Sequence, residues 1–76
     1  MNHALQLKLA SVDGVLLRVI GVTERRGWSA TALQAEPSSE GDTLNLHMSV
    51  MGDRPVELLV RQLSKLQDVH TVGVAA

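Results

Sequence analysis

The sequence predicts an α+β fold in the order βαββαβ, one four-stranded antiparallel sheet with two helices on one face. Three observations carry that expectation: runs of strict apolar alternation, runs with helical spacing, and turn residues at the junctions. In residues 3–10, Leu5, Leu7 and Leu9 alternate with polar neighbours, the period of a strand with one buried face. Ser11-Val12-Asp13-Gly14 reads as a turn and helix entry, with Asp13 or Ser11 available as N-cap. From Val15 to Arg26 the period lengthens to helical spacing, and Leu16, Val19, Ile20 and Thr23 form the expected inward stripe. Arg25-Arg26-Gly27 closes this helix with a basic turn and a glycine.

The second strand is expected over Trp28 to Glu36, with Trp28, Ala30, Ala32 and Gln34 on one face and Thr31, Leu33 and Ala35 on the other. Pro37 to Asp42 reads as a loop. A third strand from Thr43 to Met51 sets Leu44, Leu46, Met48 and Val50 against Asn45, His47 and Ser49. Pro55, a favoured first helical residue, opens a second helix whose stripe is Val56, Leu59, Val60, Leu63 and Leu66. Val69 to Val74 makes the final strand. The two halves repeat one plan, which defines the ferredoxin-like, split-βαβ class.

The 76 residues are read as one domain, 1–76. Its core must come from 12 Leu, 10 Val and Ile20, because Trp28 is the single aromatic residue. A chain of this size buries only about 60% of its unfolded surface, and without cysteine it has no disulfide or thiolate staple. Association is the remaining source of buried area. Two helices cover one sheet face, the second faces of strands two and three read as fairly apolar, and Leu17 and Leu58 lie off the inward stripes. Pairing of two chains, edge to edge or face to face, is therefore expected. A net charge of −1 provides no bulk footprint for nucleic acid, and no Phe or Tyr is available to stack bases on the open face. No apolar run approaches the roughly 20 residues of a membrane span, and Met1-Asn2-His3 lacks the start of a signal peptide. A cytoplasmic location is expected.

Residues in a catalytic pattern are almost absent from the sequence. His3, His47 and His70 have no ligand spacing, so no metal site is expected. No serine sits in a nucleophile elbow, and Gly14, Gly21 and Gly27 fit no phosphate-binding loop. Asp13, Glu24, Glu36, Glu40, Asp42, Asp53, Glu57 and Asp68 scatter over turns and helix ends, where capping and solubility account for them. No catalytic residue is assigned, and a binding or regulatory module is expected. A small isomerase or mutase using His47 and Asn45 on the open sheet face is the enzymatic alternative.

Two stretches carry a family resemblance. Gly14-Val-Leu-Leu-Arg-Val-Ile-Gly-Val-Thr-Glu-Arg-Arg-Gly-Trp28 resembles the first helix of ACT domains, with the aromatic residue that opens their second strand. Within that superfamily, Gly14-x-Leu16-x-Arg18-Val19-Ile20-Gly21, Arg26-Gly27-Trp28 and Gln62-Leu63-Ser64-Lys65-Leu66-Gln67-Asp68-Val69 are similar to signatures of the small, regulatory subunit of acetolactate synthase (acetohydroxyacid synthase). The matches sit in equivalent places and bracket nearly the whole chain.

The resemblance implies a non-catalytic subunit that binds and activates the large subunit in branched-chain amino-acid biosynthesis. Thiamine diphosphate, Mg and FAD are then expected on the large subunit, with no cofactor on this chain. Longer family members place valine between two ACT domains at a turn resembling Asn-Glu-Ala-Gly. Here Ser11-Val12-Asp13-Gly14 replaces it, so the chain looks more like the short, isozyme II-like type with little or no valine response. The candidate effector residues are Ser11, Asp13, Gly14 and Val15, with the helix N-terminal amides of Gly14 and Val15 facing a carboxylate and Asp13 an ammonium group. The candidate partner contacts are Leu17, Arg18, Arg25, Leu58 and Arg61. A homodimer through ACT pairing is expected. A free-standing ACT sensor, binding a small amino acid at a dimer interface, is the alternative.

Overall fold

The structure, a computed structural model, describes residues 1–39 and 41–75. Its elements run β1 (Asn2–Ala10), α1 (Val15–Arg25), β2 (Ser29–Pro37), β3 (Thr43–Met51), α2 (Val56–Ser64) and β4 (Val69–Val74). The sheet order is β2-β3-β1-β4, and all three pairings are antiparallel. This is the expected ferredoxin-like arrangement, and β3 and β4 begin and end where the alternation places them. Glu40 lies outside the described residues.

Between sheet and helices sits an aliphatic core. Leu5, Leu7 and Leu9 of β1 and Leu46, Met48 and Val50 of β3 are buried against Val15 and Val19 of α1 and Val56, Leu59 and Leu63 of α2. Val60 of α2 packs on the edge of this core, as does Leu66 in the turn after the helix, so the expected apolar stripe faces the core although its last residue lies beyond α2. In α1 the stripe is rotated: Val15, Val19 and Thr23 are buried, whereas Leu16 and Ile20 are half-buried. Six of the eight residues 15–22 are apolar, so periodicity alone left the rotation open. Packing chose the line at i, i+4 and i+8. Thr23 is tolerated inside because its hydroxyl donates to the Val19 carbonyl at 2.8 Å.

The caps differ in kind from the expected ones. Neither Asp13 nor Ser11 caps α1; the N-cap is Gly14, at φ +78°, with no side-chain hydrogen bond. A left-handed backbone turn therefore replaces the side-chain cap. At the other end the Gly27 amide donates to the Glu24 carbonyl and the Trp28 amide to the Thr23 carbonyl, both at 3.1 Å. With Gly27 at φ +88° this is a Schellman ending, as the Arg-Arg-Gly turn suggested. Pro55 occupies the N-cap of α2 rather than its first turn.

The faces of β2 require a correction. Ala30 pairs with Val50 but Ala32 pairs with Ser49, so Thr31 is the extra residue of a β-bulge. Past it the alternation changes phase. Leu33 and Ala35 oppose Met48 and Leu46 on the helix side, while Ala32 and Gln34 oppose Ser49 and His47 on the open side. The open face is accordingly polar rather than apolar: one row across it runs Thr71, Lys8, Asn45, Glu36 and the next Gly73, Gln6, His47, Gln34. The displaced Leu33 is still 44% exposed, beyond the cover of the helices.

Candidate functional site

Two regions of the surface bring the candidate residues together. The first is the entry to α1, where Val12 to Leu17 and Leu44 line a shallow hollow. Asp13, Gly14 and Val15 are among its walls, and Ser11 is not. Ser11, Asp13 and Gly14 are exposed, but Val15 is 3% exposed and belongs to the core. The Val15 amide already points at the Val12 carbonyl at 3.3 Å, and the Ser11 amide donates to the Asp42 carbonyl at 3.0 Å. The hollow therefore offers a carboxylate fewer amides than the helix entry suggested.

The second region is the outer surface of the helix layer. Leu17 is 75% exposed, and with Arg18, Gly21, Val22, Arg25 and Leu66 it lines a groove between α1 and the end of α2. Arg18 is committed within the chain: its guanidinium holds the Asp68 carboxylate and donates to the Asp13 carbonyl at 3.3 Å. That side chain ties the start of α1 to the turn before β4, a role no local spacing could show because 50 residues separate the partners. An ion pair this exposed contributes about 0.2–1 kcal/mol. Leu58, 49% exposed, lies apart from the groove, in a second hollow with Arg26, Trp28, Arg54, Leu59 and Gln62. Arg61 is exposed on α2 and lines neither.

Sequence reasoning missed Arg26 and Arg54 in this second hollow, having assigned one to a helix end and the other to a turn. Their convergence needs the antiparallel packing that sets the end of α1 beside the start of α2. The glycines offered a signal. At Gly27 a side chain would begin 3.4 Å from Arg54 Nε, and at Gly52 it would begin 2.6 Å from the Trp28 ring. Both glycines let a large side chain lie on bare backbone.

The histidines are spread through the fold. His3 meets Trp28 edge-on, with ring centroids 5.7 Å apart, while His47 is exposed on the open face and His70 is the extra residue of a bulge in β4. Among the described residues, no group of three or more His, Cys, Asp or Glu is placed to hold a metal ion. Among the same residues, no helix is long and apolar enough to cross a membrane.

Fold and surfaces together define a small sheet-and-helix module with exposed leucine and arginine side chains on its helix layer. The family model described as the ACT domain matches residues 11–72. The acetolactate synthase isozyme 2 small subunit of Escherichia coli is 30% identical over 74 residues, which is 97% of this chain and 85% of that protein. The chloroplastic acetolactate synthase small subunit 2 of Arabidopsis thaliana is 33% identical over 72 residues, 93% of this chain but 15% of that protein. Among solved structures, the ACT domain from the GTP pyrophosphokinase of Chlorobium tepidum superposes with a TM-score of 0.79 at 13% identity, covering 97% of this chain and 96% of that one. The chain belongs to the ACT domain family, among relatives that are small subunits of acetolactate synthase.

Proposed function

We propose that the chain is a non-catalytic regulatory subunit that binds the large subunit of acetolactate synthase and raises its turnover. The observation that carries this reading is the similarity along 74 residues to the isozyme 2 small subunit, which spans nearly the whole of both chains. The thiamine diphosphate, Mg and FAD of the reaction belong to the large subunit, and the complex works in the cytoplasm. Leu17, Arg25, Leu58 and Arg61 face outward from the helix layer and remain the proposed contacts, while Arg18 serves this chain's own fold. Two copies pair through the free edge of β2, where the sheet ends and Leu33 is exposed. Valine has little or no effect, since the turn before α1 carries Ser11 where the longer family members that the chain resembles have asparagine, and the Val15 amide is committed to the Val12 carbonyl.

The test is acetolactate formation by the large subunit, with and without this chain, at rising valine. Activation insensitive to valine is expected. Activation that valine reverses would restore Asp13 and Gly14 as effector residues, and no effect of the chain would refute the reading.

A second reading, a free-standing amino-acid sensor, is favoured by the hollow that Val12 to Leu17 and Leu44 form beside the left-handed Gly14. Calorimetry against the amino acids separates the two, because a sensor must bind one of them without any large subunit.

A further inference from the structure

We infer that the hollow between the end of α1 and the start of α2 is an anchor site for an acidic segment of a larger protein chain. In this site a carboxylate of the partner meets Arg26 and Arg54, and a neighbouring aliphatic side chain packs on the exposed Leu58, above the buried Trp28 and Leu59. Charge is unevenly distributed along the chain. Residues 15–26 and 54–65, the two helices and their flanks, carry six cations against two carboxylates, whereas the rest of the chain carries one cation against six carboxylates. A molecule of net charge −1 thus presents a basic helix layer. Arg18 is used internally by Asp68, but among the described residues Arg26 and Arg54 have no carboxylate partner.

Shape points the same way as charge. The hollow is a pocket of about 150 Å³ lined by Arg26, Arg54, Gln62 and the exposed Leu58, with the buried Trp28 and Leu59 beneath them. The floor is fixed in place: Trp28 is 2% exposed, lies on the bare Gly52 backbone and meets His3 edge-on. Arg54 is exposed but lies across Gly27, which places its guanidinium beside the pocket. A planar guanidinium supported in this way suits paired hydrogen bonds to a carboxylate. Arginine is also among the residues in which protein interfaces concentrate their binding energy. The exposed Leu58 at the lip extends the apolar surface outward, towards a chain rather than a free ion.

The inference rests on the small-subunit reading for the partner's identity, and two arms separate the two. In the first, calorimetry measures binding of the large subunit to the wild-type chain and to Arg26→Ala/Arg54→Ala, with folding checked by circular dichroism. A loss of about tenfold or more is expected, the scale of removing a charge-assisted pair at a buried contact. Arg54→Lys should recover only part of it, because a lysine keeps the charge without the fork. If the wild-type chain binds and the double variant binds equally well, the anchor site is refuted and the small-subunit reading stands.

The second arm uses the single tryptophan. Trp28 fluorescence is followed with blocked peptides containing Asp-Leu-Glu, with Lys-Leu-Lys counterparts, and with free valine. A response to the acidic peptide alone, abolished in the double variant and weakened by salt, supports the site even if the large subunit fails to bind. No response to the acidic peptide together with no large-subunit binding overturns it. An equal response to free valine also overturns it, since a small-molecule pocket would then explain the hollow.

Discussion

Substitution of Gly52 by alanine isolates a single physical quantity, the contact that one methyl group makes. Gly52 follows β3 with no left-handed φ, so the backbone itself accepts a side chain. The new Cβ would sit 2.6 Å from one Trp28 ring atom and 2.7 Å from another, well inside van der Waals contact. Retreat of the backbone is opposed by two hydrogen bonds: the Met1 ammonium donates to the Gly52 carbonyl at 2.8 Å, and the Gly52 amide donates to the Met1 carbonyl at 3.1 Å. The ring must therefore move. Overpacking of this kind costs about 1–3 kcal/mol, against a gain of about 0.4–1 kcal/mol from a less flexible unfolded chain. The net loss is about 1–2 kcal/mol, or roughly 5–15 °C in Tm for a domain of this size. Gly73→Ala is the control, because Gly73 also lacks a left-handed φ and nothing lies within 4 Å of its new Cβ. Thermal melts followed by circular dichroism should show Gly52→Ala clearly below wild type and Gly73→Ala within about 0.5 kcal/mol of it. Equal melting of the two variants would refute the argument that Trp28 is seated on the bare backbone of Gly52.

Three further predictions concern the core, the surface tie and the sheet edge. Leu7→Ala, in the middle of β1 at 2% exposure, should cost about 2–5 kcal/mol and leave a domain of this size largely unfolded, which a denaturant titration would show. Arg18→Ala and Asp68→Ala should each cost about 1 kcal/mol or less, and the double variant should lose less than their sum; strict additivity in the same titration would mean the pair contributes nothing. Leu33→Lys, on the exposed helix side of edge strand β2, should shift the proposed dimer towards monomer in light scattering and lower the melting temperature only as far as the lost association stabilised the fold, and an unaltered dimer would move the pairing surface elsewhere.

The elements and their order are legible in the chain's local periodicity and turn chemistry. Leu5, Leu7 and Leu9 mark β1, the nine alternating residues of β3 mark its full length, and Arg25-Arg26-Gly27 announces a Schellman ending. The exposed Leu17 and Leu58 were legible too, as apolar residues off a helical stripe. The tertiary structure alone decided matters that depend on distant partners. A bulge at Thr31 exists only relative to β3, and it reverses which side of β2 carries Leu33. The rotation of α1 was settled by its neighbours, since several faces of that helix are apolar. Arg18 was read as a contact for another protein because Asp68, 50 residues away, is invisible to local spacing. Arg26 and Arg54 share one hollow for the same reason: the end of one helix meets the start of the other only after the chain has doubled back across its sheet.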